Sequence, residues 1–179
     1  YIFKNSGDLS FKKMNGIWLT TKENFSNGAV YADLDNDGDL DLVVNNLNEE
    51  SVIYKNTTVN KNYLKIRFKA TKLNSHGIGT KVTCFTNGHL QYAENFTTRG
   101  YLSSVPPELH FGFNTIETID SIKVVWPNQQ VQILKNIKTN QTLNLNIIDA
   151  NNISSKIIEQ KSLGILTNVS TKLKYKNFD

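Results

Sequence analysis

Apolar and polar residues alternate over short stretches through much of the chain. The pattern is clearest in Tyr63-Leu64-Lys65-Ile66-Arg67-Phe68-Lys69, and similar stretches bounded by turn residues occupy 80–85, 90–98, 108–113, 121–126, 130–134 and 141–148. Successive side chains of a β-strand point to opposite faces of its sheet, so this alternation predicts short strands with one face in a core. The lysines within it, such as Lys55, Lys65 and Lys81, are expected on a solvated sheet face.

Turn residues separate these predicted strands. Asn87-Gly88 is a strong signal for a two-residue β-hairpin. Several short strands joined by turns predict an antiparallel β-sandwich or barrel, which we assign to residues 59–150. Residues 151–179 are expected to be a tail or the start of a following segment, with the one helix candidate at 151–163, capped by Ser154.

The first part of the chain carries a different pattern. An aromatic-Lys-Asn element occurs twice, as Phe3-Lys4-Asn5 and as Tyr54-Lys55-Asn56. The two copies suggest a sequence repeat with a period of about fifty residues, which is within the range expected of propeller blades. We therefore predict that residues 1–58 form a partial β-propeller-like blade unit. The predicted fold class is all-β.

The most informative motif is the acidic loop Asp33-Leu34-Asp35-Asn36-Asp37-Gly38-Asp39-Leu40-Asp41. Carboxylates at alternating positions, with a glycine at the bend, match the first half of an EF-hand-like ligand pattern for Ca²⁺. The flanking residues are of strand type, and Val44 stands where an EF-hand has its position-twelve Glu, so the loop joins two strands instead. We predict side-chain ligation of Ca²⁺ by Asp33, Asp35, Asp37 and Asp41, and a main-chain oxygen from Asp39 with its carboxylate pointing outward.

Composition limits the classes of function. Hydrophobic content of 39% and charged content of 20% are typical of a soluble globular protein, and no apolar run approaches a membrane span. The net charge of +4 comes from lysines spread singly along the chain, which argues against nucleic-acid binding. The composition, rich in Asn, Lys and Ile, is typical of an AT-rich bacterial genome. Because the chain begins at Tyr1, we expect a processed or trimmed product.

Several other residues have chemistry that permits a functional role. Arg99 has a planar guanidinium group whose N–H donors suit carboxylate, sulfate or sugar hydroxyls, although we favour internal pairing with loop carbonyls. Tyr101 and Trp126 are candidate ligand contacts, although for Trp126 we favour a place in the core. His110 is expected to be structural or exposed. Cys84 lies in a strand-like run and is expected to be a small buried hydrophobe, which the single cysteine of the chain permits.

Two segments resemble known families. Residues 25–46, from Phe25-Ser26-Asn27-Gly28 through the acidic loop, resemble an FG-GAP (VCBS-type) repeat, the blade unit of integrin-like propellers. Residues 99–113, from Arg99-Gly100-Tyr101 through Pro106-Pro107 to Phe113, resemble the signature of the ASPIC/UnbV domain. The resemblance implies a Ca²⁺-holding loop followed by a β domain, as in cartilage acidic proteins and many bacterial surface proteins. The turn after Trp126-Pro127 departs from the family, because Asn128 follows where glycine is usual.

These observations predict a non-enzymatic, calcium-binding module of a secreted or cell-surface protein, outer-membrane associated where it is bacterial. Such a module would serve adhesion by presenting loops to a protein or glycan ligand. The alternative is a carbohydrate-binding or carbohydrate-processing accessory module, which an exposed aromatic beside Arg99 or Trp126 would favour. A third interpretation, an enzyme with its active site elsewhere in a longer protein, stays open. No nucleic-acid partner and no membrane span are expected.

Overall fold

The computed structural model of the protein describes residues 1–19 and 24–150, and the backbone of 152–153. These residues form short strands and one 3-10 turn, Ile147–Asp149. In chain order the strands are β1 (Phe3–Asn5), β2 (Phe11–Lys13), β3 (Ser26–Ala32), β4 (Asp41–Asn46), β5 (Val52–Tyr54), β6 (Asn62–Lys69), β7 (Lys81–Thr86), β8 (His89–Glu94), β9 (Glu108–Asn114), β10 (Thr118–Val125), β11 (Gln130–Lys138), β12 (Gln141–Asn146) and β13 (Asn152–Ile153). The predicted all-β class is confirmed.

Strands β6 to β13 form two sheets around a common core. One has five strands in the order β13-β11-β10-β7-β8, and the other has three in the order β12-β6-β9. The buried apolar side chains of β6, β7 and β9 occupy alternating positions as predicted. Both sheets contribute to one cluster, which comprises Leu64, Ile66, Phe68, Val82, Cys84, Leu109, Phe111, Phe113, Ile119, Ile122, Val124, Trp126, Leu145 and Ala150. The arrangement is a β-sandwich, and the described strands do not close into a barrel.

The predicted antiparallel character holds for most strand pairs but not for β12. This strand pairs in parallel with β6, in a register that runs from Gln141 opposite Leu64 to Asn146 opposite Lys69. Parallel neighbours require a long crossover connection, and here strands β7 to β11 all lie between the two in sequence. Local alternation identifies both segments as strands, but it carries no information about a partner so distant.

The turn predictions are confirmed where the structure describes them. Asn87 and Gly88 have φ values of 46° and 78° between β7 and β8, and positive φ at both central residues is the geometry of a type I′ hairpin turn. The helix candidate at 151–163 lies outside the described residues except for 152–153. Those two residues pair with β11 as a strand, so the helix prediction was wrong for them.

The described part of residues 1–58, which we call the blade unit after the prediction above, consists of two small antiparallel sheets with little core of their own. Strands β3, β4 and β5 pair in that order, and β1 pairs with β2 in a separate hairpin. Among the described residues before β6, Met14 is the one buried hydrophobic side chain. Because a small sheet with so little buried apolar surface is marginal alone, its contacts with the sandwich become important. One of them joins the amide of Ala29 to the hydroxyl of Ser103 at 3.2 Å.

Cys84 is fully buried between the sheets, as predicted for a small hydrophobe. Burial raises the pKa of its thiol to about 12, because the thiolate is disfavoured away from water. We expect the folded protein to resist thiol-specific labelling at neutral pH and to react stoichiometrically in denaturant. Rapid labelling of the folded protein would contradict this burial.

The same shift predicts a pH dependence of stability. Above pH 9 the thiol of the unfolded chain ionises while the folded thiol stays protonated up to about pH 12, so unfolding releases a proton and the free energy of unfolding falls with rising pH. We expect Cys84→Ala to reduce this slope between pH 9 and 11, measured by denaturant titration against wild type. Equal slopes in the two proteins would contradict the shift.

Candidate metal centre

The acidic loop connects β3 to β4 and brings three of its carboxylates together. Asp33, Asp35 and Asp37 each offer a carboxylate oxygen, and these atoms all lie within 4.8 Å of one another. Aspartate side chains bond to main-chain amides within the loop. Asp35 Oδ1 accepts the amide of Asp37 at 3.3 Å, and Asp37 Oδ1 accepts the amide of Asp39 at 3.1 Å. Gly38, at φ 96°, makes the bend and donates its amide to Asp33 Oδ2 at 3.2 Å. The predicted clustering around the glycine is therefore present.

Asp41 lies at the base of the loop, outside this group of three. It is buried, and its Oδ2 accepts the amide of Leu34 at 3.1 Å while its Oδ1 accepts the amide of Asn56 at 2.9 Å. These bonds tie the beginning of the loop to the residues that follow β5. Its predicted role as a ligand stays a prediction, and its observed role is to close the loop.

Asp39 differs from the expectation that its carboxylate faces outward. Its Oδ1 is buried and has no hydrogen-bond partner within the described part of the chain. Burial, followed by repulsion from Asp37 and Asp41, raises the pKa of this carboxyl group. Neighbouring bonds hold this segment in place, because the amide of Asp39 donates to Asp37 Oδ1 and the carbonyl of Gly38 contacts His110.

The donor set fits a hard divalent cation. The side chain of Asp33 is only 2% exposed, and its Oδ1 atom is buried without a hydrogen-bond partner among the described residues. Leaving a buried carboxylate oxygen unsatisfied costs free energy, and the Asp33 carboxylate clusters with those of Asp35 and Asp37. Clustered carboxylate oxygens are the ligands that Ca²⁺ prefers.

Two lysines provide positive charge at the loop. Lys55 forms an ion pair with Asp35 at the surface, and this hydrogen bond lowers the pKa of Asp35. Lys65 lies 2.7 Å from Asp33 Oδ2, and the two side chains are only 6% and 2% exposed. The prediction that Lys65 faces solvent was therefore wrong. It does occupy the outer face of its sheet, as the alternation requires, but the acidic loop covers that face.

Two more residues of that outer face hold the loop. His110, which stands opposite Lys65 in the β6–β9 register, contacts the carbonyl oxygen of Gly38 through Nε2 at 2.8 Å. The ring of Tyr63 stacks on His110 with centroids 5.7 Å apart and lies directly against Gly38. Sequence reasoning missed Tyr63, Lys65 and His110 as site residues. The sequence did contain one signal for them. All three alternate with the core residues of β6 and β9, which places them together on the outer face of that sheet.

The other three candidate ligand contacts lie in different environments in the structure. Trp126 is completely buried, edge-to-face with Phe68 at 5.8 Å, which agrees with the favoured place in the core and leaves its ring inaccessible to a ligand. Arg99 donates to the carbonyl of Glu94 and to the hydroxyl of Tyr31, both at 3.3 Å, which agrees with the favoured internal pairing and adds an unforeseen link to the blade. Tyr101 is 70% exposed, so its side chain is accessible to a ligand.

The close contact between Gly38 and Tyr63 predicts that adding one methyl group at residue 38 destabilises the protein strongly. A Cβ atom at Gly38 would lie 2.0 Å from Tyr63 Cε1, at a backbone φ of 96°. We expect Gly38→Ala to lower the free energy of unfolding by about 2–4 kcal/mol, through backbone strain and overpacking together. Gly7→Ala is the control, because Gly7 has φ 89° but no atom within 4 Å of such a Cβ.

The control variant should lose only about 1 kcal/mol, which is the cost of the left-handed backbone. In a Tyr63→Ala background, Gly38→Ala should cost no more than Gly7→Ala, and denaturant unfolding measures all of these values. Equal losses for the two glycine variants in the wild-type background would show that the loop does not rest on Tyr63.

Comparisons with known proteins agree with this architecture. The FG-GAP-like repeat family matches residues 1–44, and the ASPIC and UnbV family matches residues 70–152. Cartilage acidic protein 1 of Homo sapiens is 29% identical over 134 residues, covering 71% of this chain and 20% of that protein, and its Mus musculus counterpart is 28% identical with the same coverage. The chain thus spans about a fifth of the length of the curated relatives it matches. Along the chain, the two matches come in the order of an FG-GAP-like repeat followed by an ASPIC and UnbV domain.

Proposed function

We propose that the chain is a calcium-stabilised, non-enzymatic module of an extracellular or surface protein, which presents loops to a protein or glycan partner. The observation that carries the proposal is the buried Oδ1 atom of Asp33, which has no hydrogen-bond partner among the described residues and belongs to a carboxylate clustered with those of Asp35 and Asp37. A solvated acidic turn has no reason to bury a carboxylate oxygen without a donor, whereas a cation site does.

In this proposal Asp33, Asp35 and Asp37 hold the ion through their side chains. Asp39 contributes its main-chain oxygen, and Asp41 adds to the site while it closes the loop. Calcium supplies positive charge that offsets the mutual repulsion of the carboxylates. Because the unfolded chain has no such arrangement, the free energy of binding contributes to folding. The ion is therefore structural.

A non-enzymatic role is supported by the way in which the candidate reactive groups are used. Ser103 donates its hydroxyl to the carbonyl of Tyr101 at 2.7 Å and accepts the amide of Ala29. His110 contacts the carbonyl of Gly38. Both side chains thus bond to main-chain groups and hold segments in place, where a nucleophile and its base would need to contact each other.

An extracellular location is supported by the two domain matches and by the likeness to cartilage acidic protein 1. No helix within the described residues is long and apolar enough to cross a membrane. The arrangement of apolar residues in the blade is consistent with further contacts in a larger assembly, since Phe3, Phe11, Trp18 and Ile53 are all more than half exposed.

The proposed metal site predicts weak, specific binding of Ca²⁺ that calorimetry can detect. We expect calorimetric titration with Ca²⁺ to saturate at one ion per chain, with a dissociation constant of about 10⁻⁴–10⁻³ M, as in other extracellular modules. A chelator should lower the melting temperature of a calcium-loaded sample. Asp37→Asn should weaken binding strongly.

Asp8→Asn provides a matched control. Asp8 is also exposed and also accepts an amide two residues ahead, at 3.1 Å from Ser10, but it lies in the β1–β2 turn away from the cluster. Its variant should bind Ca²⁺ like wild type. An absence of heat in the wild-type titration, together with a melting temperature that the chelator leaves unchanged, would refute calcium binding.

A carbohydrate-binding role is the second candidate, and one observation favours it. A cavity of about 130 Å³ lies between the blade and the sandwich, and its lining includes Tyr31, Phe96 and Arg99. Tyr31 and Phe96 are 39% and 45% exposed, and aromatic side chains beside a guanidinium suit sugar recognition. The burial of Trp126 removes the other aromatic on which this alternative depended.

Arg99→Ala distinguishes the structural use of this residue from recognition. If Arg99 mainly joins Glu94 and Tyr31, its loss should lower the free energy of unfolding by about 1 kcal/mol, because its two hydrogen bonds are lost while the Glu94 carbonyl keeps the amide of Phe96 as a donor. Denaturant unfolding combined with a glycan-binding screen of both proteins measures the two effects. An unchanged unfolding curve with loss of a glycan signal would make Arg99 a recognition residue.

A further inference from the structure

The negative charge of the acidic loop is partly neutralised by lysines from two different parts of the fold. Five carboxylates lie between residues 33 and 41, while Lys55 pairs with Asp35 and Lys65 pairs with Asp33. Lys55 follows β5 in the blade, whereas Lys65 belongs to β6 of the sandwich. Of the two lysines that pair with the loop in the part of the chain that the structure describes, one thus belongs to the sandwich.

We propose that Lys65 is a built-in cation of the metal site, which holds the loop assembled without calcium and limits the affinity of the loop for calcium. This inference rests on the proposed calcium binding and extends it to a residue of the second domain. It also makes the calcium site a joint property of the two domains, because the blade alone lacks this charge.

The position of Lys65 supports the first half of the proposal. Its ammonium group contacts Asp33 Oδ2 at 2.7 Å, and both side chains are nearly inaccessible to solvent. A buried carboxylate without a counter-ion is strongly unfavourable. Lys65 therefore stabilises the loop in the metal-free protein, and Tyr63 and His110 hold the loop against the same sheet face.

The second half follows from the geometry of Asp33. Lys65 uses Oδ2 of this carboxylate, which leaves the buried Oδ1 atom for a metal ion. The ammonium group and the ion would then share one carboxylate at close range. Like charges in a poorly solvated site repel strongly, so Lys65 opposes the ion that its partner attracts.

Lys55 provides the matched control, because it carries the same charge to the same loop at the surface. Its side chain is 63% exposed and that of Asp35 is 36% exposed. Salt screens exposed charge pairs, whereas buried pairs are screened much less. The two lysines should therefore differ in the salt dependence of their effects, although their charges are equal.

The test uses the full chain with Lys65→Met, which keeps an unbranched side chain of similar length and removes the charge. Lys65→Gln is the second variant, because its amide can still donate a hydrogen bond. Calorimetry with Ca²⁺ and thermal melts with chelator are performed at low and high salt. We expect both variants to bind Ca²⁺ about tenfold more tightly than wild type at both salt concentrations.

Both variants should also melt at a lower temperature than wild type in chelator, and should gain more from calcium than wild type does. Lys55→Met should tighten binding at low salt only. Wild type that binds calcium, with Lys65 variants that bind equally or less tightly, would overturn the inference while leaving the proposed function intact. Absence of calcium binding in wild type and in all variants would overturn both, whatever the melting temperatures in chelator.

Discussion

The mutual repulsion of five carboxylates within nine residues is the constraint on which the rest of this structure depends. Asp33, Asp35 and Asp37 approach within 4.8 Å of one another, which is unfavourable unless positive charge is near. Lys55 and Lys65 supply part of that charge, and an excess of negative charge remains at the loop. Main-chain amides that bond to Asp33, Asp35, Asp37 and Asp41 reduce the repulsion further.

The same constraint explains how the two domains meet. The blade buries little apolar surface among its described residues, so its attachment depends on specific contacts more than on hydrophobic area. The outer face of the β12-β6-β9 sheet provides those contacts through Tyr63, Lys65 and His110. Its inner face meanwhile forms the sandwich core through Leu64, Ile66 and Phe111. One sheet therefore supports both the second domain and the loop of the first.

Local patterns in the sequence predicted the parts of this structure that local physics determines. Alternation located the strands from β6 to β12, Asn87-Gly88 located a hairpin, and the aspartate spacing located the carboxylate cluster. Each of these follows from side-chain direction or turn geometry within a few residues. The parallel pairing of β12 with β6 was missed because it joins segments at opposite ends of the sandwich sequence.

The contacts at the loop were missed for a related reason. A lysine that alternates with core residues has the same sequence pattern whether water or an acidic loop covers its face. Only the pairing of Lys65 with Asp33, which are 32 residues apart, distinguishes the two cases. His110 lies 72 residues from Gly38, and its pattern is equally typical of an exposed strand position. Trp126 was ambiguous because an aromatic at a strand end suits either a core or a binding surface.

The most direct test of this account is terbium luminescence, in which Tb³⁺ replaces Ca²⁺ and is excited through nearby tyrosine. Tyr63 lies against Gly38 in the middle of the acidic loop, so an ion bound there should receive energy from its ring. The account predicts sensitised emission that saturates at one ion per chain, falls when Ca²⁺ is added, and is lost in Asp33→Asn. Emission that is absent from the wild-type protein, or that Ca²⁺ does not displace, would contradict the assignment of the loop as a calcium site.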